Sequence, residues 1–79
     1  MLVTWLPAAE KDLHGLDRTH VRRVLDAFER YVDTGVGDVK KLQDVNAYRL
    51  RVGDYRVIFE VNGDSLVVLR IRHRREAYR

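Results

Sequence analysis

Near residue 46 the spacing of apolar side chains changes from a helical to a strand period, and that switch points to a domain of mixed class. Upstream, Val21, Val24, Leu25, Phe28, Tyr31 and Val32 recur at offsets 0, 3, 4, 7, 10 and 11, which makes one continuous apolar stripe on a helix. Asp17 is placed to cap that helix, and Gly35 and Gly37 end it. From Ala47 onward the period is two, with strands near 47–52, 55–61 and 65–72 separated by Gly53-Asp54 and Asn62-Gly63-Asp64. Residues 2–6 are mostly β-branched, aromatic or aliphatic and stop at Pro7, as in a short strand that leads into the first position of a helix. Gly15 ends that first helix early. The stretch from Gly35 to Asn46 reads as a loop carrying Lys40 and Lys41. The expected architecture is α+β in the order β-α-α-β-β-β, with two helices on one face of a mainly antiparallel four-stranded sheet. No repeat or proline-rich linker interrupts residues 1–79, so one domain is expected.

A chain of 79 residues buries only roughly 60% of its unfolded surface. Cysteine is absent, so neither a disulfide framework nor a thiolate metal site is available. His14 and His20 are six residues apart and point different ways on a helix, so they form no metal pair. No apolar run approaches the ~20 residues that span a bilayer, and the start lacks a basic-then-apolar signal pattern. The expectation is a cytosolic protein without membrane, metal or cofactor.

Charge is uneven along the chain. Residues 1–45 hold seven Lys/Arg against eight Asp/Glu, whereas residues 46–79 hold eight Arg against four Asp/Glu. A two-residue turn at Gly53-Asp54 sets Arg51 opposite Arg56, Leu50 opposite Val57 and Tyr48 opposite Phe59, and opposed residues share a face. One face then carries Tyr48, Leu50, Val52, Tyr55, Val57 and Phe59, and the other Arg49, Arg51, Arg56, Ile58 and Glu60. In the last strand, burying Val67, Leu69 and Ile71 sends Val68, Arg70 and Arg72 to the arginine face. The opposite parity would bury Arg70 and Arg72 beneath the helices at a large desolvation cost.

Five arginines thus gather on one side of the sheet. A solvated face is the plain alternative. Opposed like charges, as in Arg51 against Arg56, cost stability unless an anion lies between them, and guanidinium groups match phosphate geometry. The surface therefore reads as a nucleic-acid face. At the end of the same strand, Tyr78 either stacks on a base, carries a proton or lids the core edge. His73 falls on the core parity, as a packed histidine.

The run from Tyr48 to Glu60 (Tyr-Arg-Leu-Arg-Val-Gly-Asp-Tyr-Arg-Val-Ile-Phe-Glu), with Lys41-Leu42 before it, Leu66 to Leu69 after it and His73-Arg74-Arg75-Glu76-Ala77-Tyr78 at the end, resembles the RelE branch of the RelE/ParE toxin superfamily. The opening Trp5 to Leu13 is similar to the family's start as well. The resemblance implies a metal-independent endoribonuclease that cleaves messenger RNA on the ribosome, inhibits translation and is neutralised by a RelB-like antitoxin. It also implies a larger toxin–antitoxin complex that binds operator DNA through the antitoxin. Carried over by position, the catalytic set is Arg49, Arg51, Arg56, Arg74 and Tyr78, with Arg72 and Arg75 as rivals to Arg74. Lys40, Lys41, Arg70, Arg72 and Arg75 are the implied RNA-binding residues. Arg49 and Arg51 stand where familiar members carry lysine, and arginine does not readily release a proton. The rival readings are a ParE-like toxin that inhibits DNA gyrase without cleaving anything, and an inactive member that serves only antitoxin-bound autoregulation.

Overall fold

The computed structural model describes residues 1–43 and 45–77. Strand β1 (Leu2–Trp5) leads into α1 (Pro7–His14) and α2 (Arg18–Thr34), and four strands follow: β2 (Asp38–Lys41), β3 (Tyr48–Val52), β4 (Tyr55–Asn62) and β5 (Ser65–His73). A single turn, α3 (Arg74–Ala77), closes the described chain. The sheet order is β1-β5-β4-β3-β2, antiparallel throughout except where β1 runs parallel to β5. None of the described helices is long and apolar enough to cross a membrane.

The local chemistry explains the boundaries. Pro7 begins α1, where its missing N–H costs nothing. The Asp17 carboxylate accepts the His20 N–H at 2.9 Å and caps α2. Gly35, at φ 76°, ends α2 by donating its N–H to the Tyr31 carbonyl at 2.8 Å. At the β3–β4 turn Gly53 adopts φ 60°, a left-handed conformation that suits a two-residue hairpin.

Helix α2 turns Val24 and Phe28 into the core and leaves the rest of its stripe half-buried. These two meet Leu50, Val57, Phe59, Leu66, Val68 and Ile71 from the sheet and Ala9 from α1. Phe59 is the hub of an aromatic cluster, with ring centroids 6.1 Å from Phe28, 5.5 Å from Tyr31 and 5.7 Å from Tyr48. Both helices therefore lie on one face, and the opposite face is left for charge.

Two features differ from the sequence reading. The sheet has five strands, because Asp38–Lys41, read as loop, forms edge strand β2 against β3. With three charged residues among its four, the segment carries a common edge-strand composition that hides its period. The second difference lies in β5. Opposite Ile58 and Phe59 the register skips Leu69, so Phe59 faces Val68 while Ile58 faces Arg70. A bulge of this kind reverses the phase of a strand. Ahead of it Leu66 and Val68 are buried, in place of the expected Val67 and Leu69; beyond it Ile71 is buried as expected.

Candidate nucleic-acid interface

The hairpin register Arg51↔Arg56 and Leu50↔Val57 is the one that period-two alternation requires. Extended by the pairings of β2 and β5, it lines up charged residues in cross-strand rows on the face away from the helices. One row runs Asp38, Arg51, Arg56, Arg72 across β2, β3, β4 and β5. The next runs Lys40, Arg49, Ile58, Arg70 across the same strands. Neighbouring strands lie about 4.8 Å apart, so three guanidinium-bearing positions succeed one another in the first row.

The members of that row differ in environment. Arg51 is exposed and Arg72 half-buried, but Arg56 is only 4% exposed. Its Nη1 donates to the Gly53 carbonyl at 3.2 Å and the Tyr55 carbonyl at 3.1 Å. Its Nε is buried and has no hydrogen-bond partner among the described residues. A charged donor held on one side and unsatisfied on the other is an energetically costly arrangement for a purely structural residue. Asp38, which sequence reading did not pick out, places one carboxylate opposite Arg51.

Arg70 is held from another direction. Its Nε and Nη2 donate to the two Asp12 carboxylate oxygens at 2.8 and 3.1 Å, and Asp12 also accepts the Ile71 N–H at 2.9 Å. Burial pushes the Asp12 carboxyl up. The Arg70 and Ile71 hydrogen bonds and the Arg70 and Arg72 charges outweigh that effect and hold it below its ordinary value. No periodicity signals Asp12, because its role depends on where α1 meets β5.

Arg74 and Arg75 open α3 at the same end of the sheet. The Arg74 N–H donates to the Asp54 carbonyl at 2.6 Å, and its guanidinium lies 3.8 Å from the Asp54 carboxylate. The β3–β4 turn therefore anchors both Arg56, through Gly53, and the start of α3, through Asp54. Both Arg74 and Arg75 side chains are exposed, and the Arg75 N–H donates to His73 Nδ1 at 3.3 Å. His73 sits on the core face as the parity required, edge-on to Tyr55 at 5.3 Å, whose ring also meets His20 at 5.1 Å. Lys40 joins the arginine face opposite Arg49, whereas Lys41 pairs with Tyr48 on the other parity and is exposed. Tyr78 lies outside the described residues.

The sequence model for the ParE toxin of the type II toxin–antitoxin system parDE matches residues 3–78. Over 42 residues the chain is 48% identical to the toxin RelE3 of Methanocaldococcus jannaschii, an alignment that covers 52% of this chain and 48% of that protein. The fold superposes on a chain of the RelB–RelE antitoxin–toxin complex of Methanococcus jannaschii with a TM-score of 0.80 and 30% identity, over 95% of this chain and 94% of that one. A chain of the archaeal RelE–RelB complex of Pyrococcus horikoshii matches with a TM-score of 0.77 and 32% identity, over 92% and 93% of the two chains. By a sequence match along nearly its whole length and two likenesses that span both partners, the chain belongs to the ParE toxin family of type II toxin–antitoxin systems, within the RelE-like superfamily.

Proposed function

We propose that the protein is the toxin of a RelE-type toxin–antitoxin pair and that it cleaves messenger RNA on the ribosome at its arginine face. The observation that carries this reading is the row Arg51, Arg56, Arg72, in which a buried guanidinium, with no partner for its Nε among the described residues, lies between two further arginine positions. A phosphodiester supplies an acceptor that matches guanidinium donors such as the Arg56 Nε. Exposed Arg51 and half-buried Arg49 make the outer backbone contacts, and Arg56 forms the floor that stabilises negative charge as it builds at phosphorus.

In the proposed reaction the 2′-oxygen attacks phosphorus, the bond to the 5′-oxygen breaks, and a 2′,3′-cyclic phosphate and a 5′-hydroxyl result. The Tyr78 phenolate takes the 2′-hydroxyl proton. A phenol's pKa is ordinarily about 10, and cationic guanidinium neighbours lower it by stabilising the phenolate. Arg74 adds charge at the departing side, and a water or an arginine returns a proton to the 5′-oxygen. The partner is a RelB-like antitoxin, and two of the solved relatives are indeed chains of RelB–RelE complexes. Together the two proteins form the larger complex that reaches operator DNA through the antitoxin. Action on ribosomes places the protein in the cytoplasm.

The match to the ParE family supports a second reading, a toxin that inhibits DNA gyrase without cleaving RNA. Induction of the protein in cells separates the two. Arrest of translation with new messenger ends inside codons supports cleavage, and arrest of replication with intact messengers supports the gyrase reading.

A further inference from the structure

We infer that Asp12 is a positioning residue for the arginine face: it locks β5 just beyond the bulge at Leu69 and so keeps Arg72 in line with Arg56 and Arg51. The functional part of this inference rests on the RNA-cleaving reading above.

Strand β1 supports β5 only as far as the Trp5↔Val68 pair and the hydrogen bond from the Leu6 N–H to the Val68 carbonyl. Past that point no strand lies beside the β5 edge among the described residues, and the bulge follows at once. A slip of one residue at a bulge exchanges the two faces of everything downstream. Here such a slip would turn Arg70 and Arg72 toward the helices and Ile71 out of the core. The Asp12 carboxylate, on α1, meets this weak point with three hydrogen bonds, accepting the Ile71 N–H and the Nε and Nη2 donors of Arg70. It fixes the backbone and one side chain of adjacent residues together, and that combination specifies the phase of the strand. Arg70, read from sequence as an RNA contact, holds the other side of the clip. The register that results sets Arg72 opposite Arg56.

The test compares the full-length wild-type chain with Asp12→Asn, Asp12→Glu and Arg70→Gln. Asparagine keeps the size and one acceptor for the Ile71 N–H but puts an amide donor against Arg70. In Asp12→Asn, NMR should show the Ile71 amide exchanging faster and the cross-strand Arg56 to Arg72 contacts weakened. Single-turnover cleavage on messenger-programmed ribosomes should fall by about tenfold to a hundredfold, since displacement of a charge-stabilising group is felt mainly in the chemical step. Ribosome affinity should change far less than the rate. Asp12→Glu, which keeps the carboxylate, should recover part of the rate, and Arg70→Gln, which leaves the Ile71 bond in place, should disturb Ile71 exchange least.

Wild-type Ile71 exchange and Arg56 to Arg72 contacts in both Asp12→Asn and Arg70→Gln would overturn the inference, whether or not the protein cleaves RNA. Disturbed contacts with an unchanged cleavage rate would overturn the positioning role. A wild-type chain that cleaves no ribosome-bound messenger would instead overturn the reading of the function, and the NMR comparison would still decide whether Asp12 sets the strand's phase.

Discussion

Arg51 and Arg56 stand directly opposite each other across the β3–β4 hairpin, yet Arg51 is exposed while Arg56 is 4% exposed and bonded to the Gly53 and Tyr55 carbonyls. Two like charges in one cross-strand pair therefore do different work. One is exposed to solvent, and the other is built into the hairpin end.

Their alanine variants should differ accordingly. Arg51→Ala removes an exposed charge and relieves repulsion, so the melting free energy of the isolated protein should change by less than about 0.5 kcal/mol. Arg56→Ala relieves repulsion too, worth a few tenths to about 1 kcal/mol. It also deletes two charge-assisted hydrogen bonds, each worth about 1.5–3 kcal/mol, and the net should be a loss of about 2–6 kcal/mol. Both variants should lose RNA cleavage. Denaturant titration of the two variants checks the split, and equal stability would contradict it.

If the arginine face binds phosphates, affinity for programmed ribosomes should fall steeply with salt. Each phosphate contact with single-stranded RNA adds about 0.7 to the slope of log affinity against log salt. Arg49→Ala and Arg51→Ala should each flatten that slope by about one contact's worth. Identical slopes in wild type and both variants would place the binding surface elsewhere.

The parts of the fold that depend on local alternation could be read before the structure was known. The α2 stripe, the Gly53-Asp54 turn and the pairing of Arg51 with Arg56 follow from spacing, because side-chain direction is fixed by backbone period. Two features were not legible for the same reason. Val39 is the sole apolar residue of β2, so that strand has no alternation to detect, and the bulge at Leu69 breaks the alternation of β5 at its middle. Beyond the bulge Arg70 and Arg72 keep the parity opposite to buried Ile71, because burying them beneath the helices is the costlier choice. The burial of Arg56 and the clip at Asp12 involve a turn carbonyl and a helix distant in sequence, and neither leaves a mark on local pattern.

Stability should depend on acid through Asp12. Its carboxyl is held below the ordinary value of 3.8 by Arg70 and the Ile71 N–H, with help from the Arg72 charge, against the effect of burial. Lys11 and His73 line the same cleft. A carboxyl depressed on folding stabilises the protein fully above its unfolded value, and that stabilisation is lost as pH falls through the folded value. Melting temperature should therefore drop as pH is lowered below about 4. Asp12→Asn should show a shallower drop, with the remainder carried by Asp17, whose carboxylate is lowered by the His20 N–H it accepts. A parallel acid limb in wild type and Asp12→Asn would contradict this assignment.

Neutralisation by an antitoxin segment should be visible as a gain in stability. A small domain without cysteine has little stability to spare, and Val3, Trp5, Leu25, Phe28 and Val32, with Glu29 and Asp33, line an open groove. At a free antitoxin concentration 100 times its dissociation constant, binding adds about 2.7 kcal/mol. The complex should melt above the free toxin, with hydrogen exchange slowed over the groove or the arginine face. Inhibition without any rise in melting temperature, and without protection of either surface, would contradict the proposed mode.

The most direct test of the account is single-turnover cleavage of a ribosome-bound messenger by the wild-type chain, Arg56→Ala and Tyr78→Phe under identical conditions. The account predicts rapid cleavage by wild type to a 2′,3′-cyclic phosphate and a 5′-hydroxyl, and a fall of at least about a hundredfold in each variant. An intact messenger with wild type, or undiminished cleavage by Arg56→Ala, would contradict it.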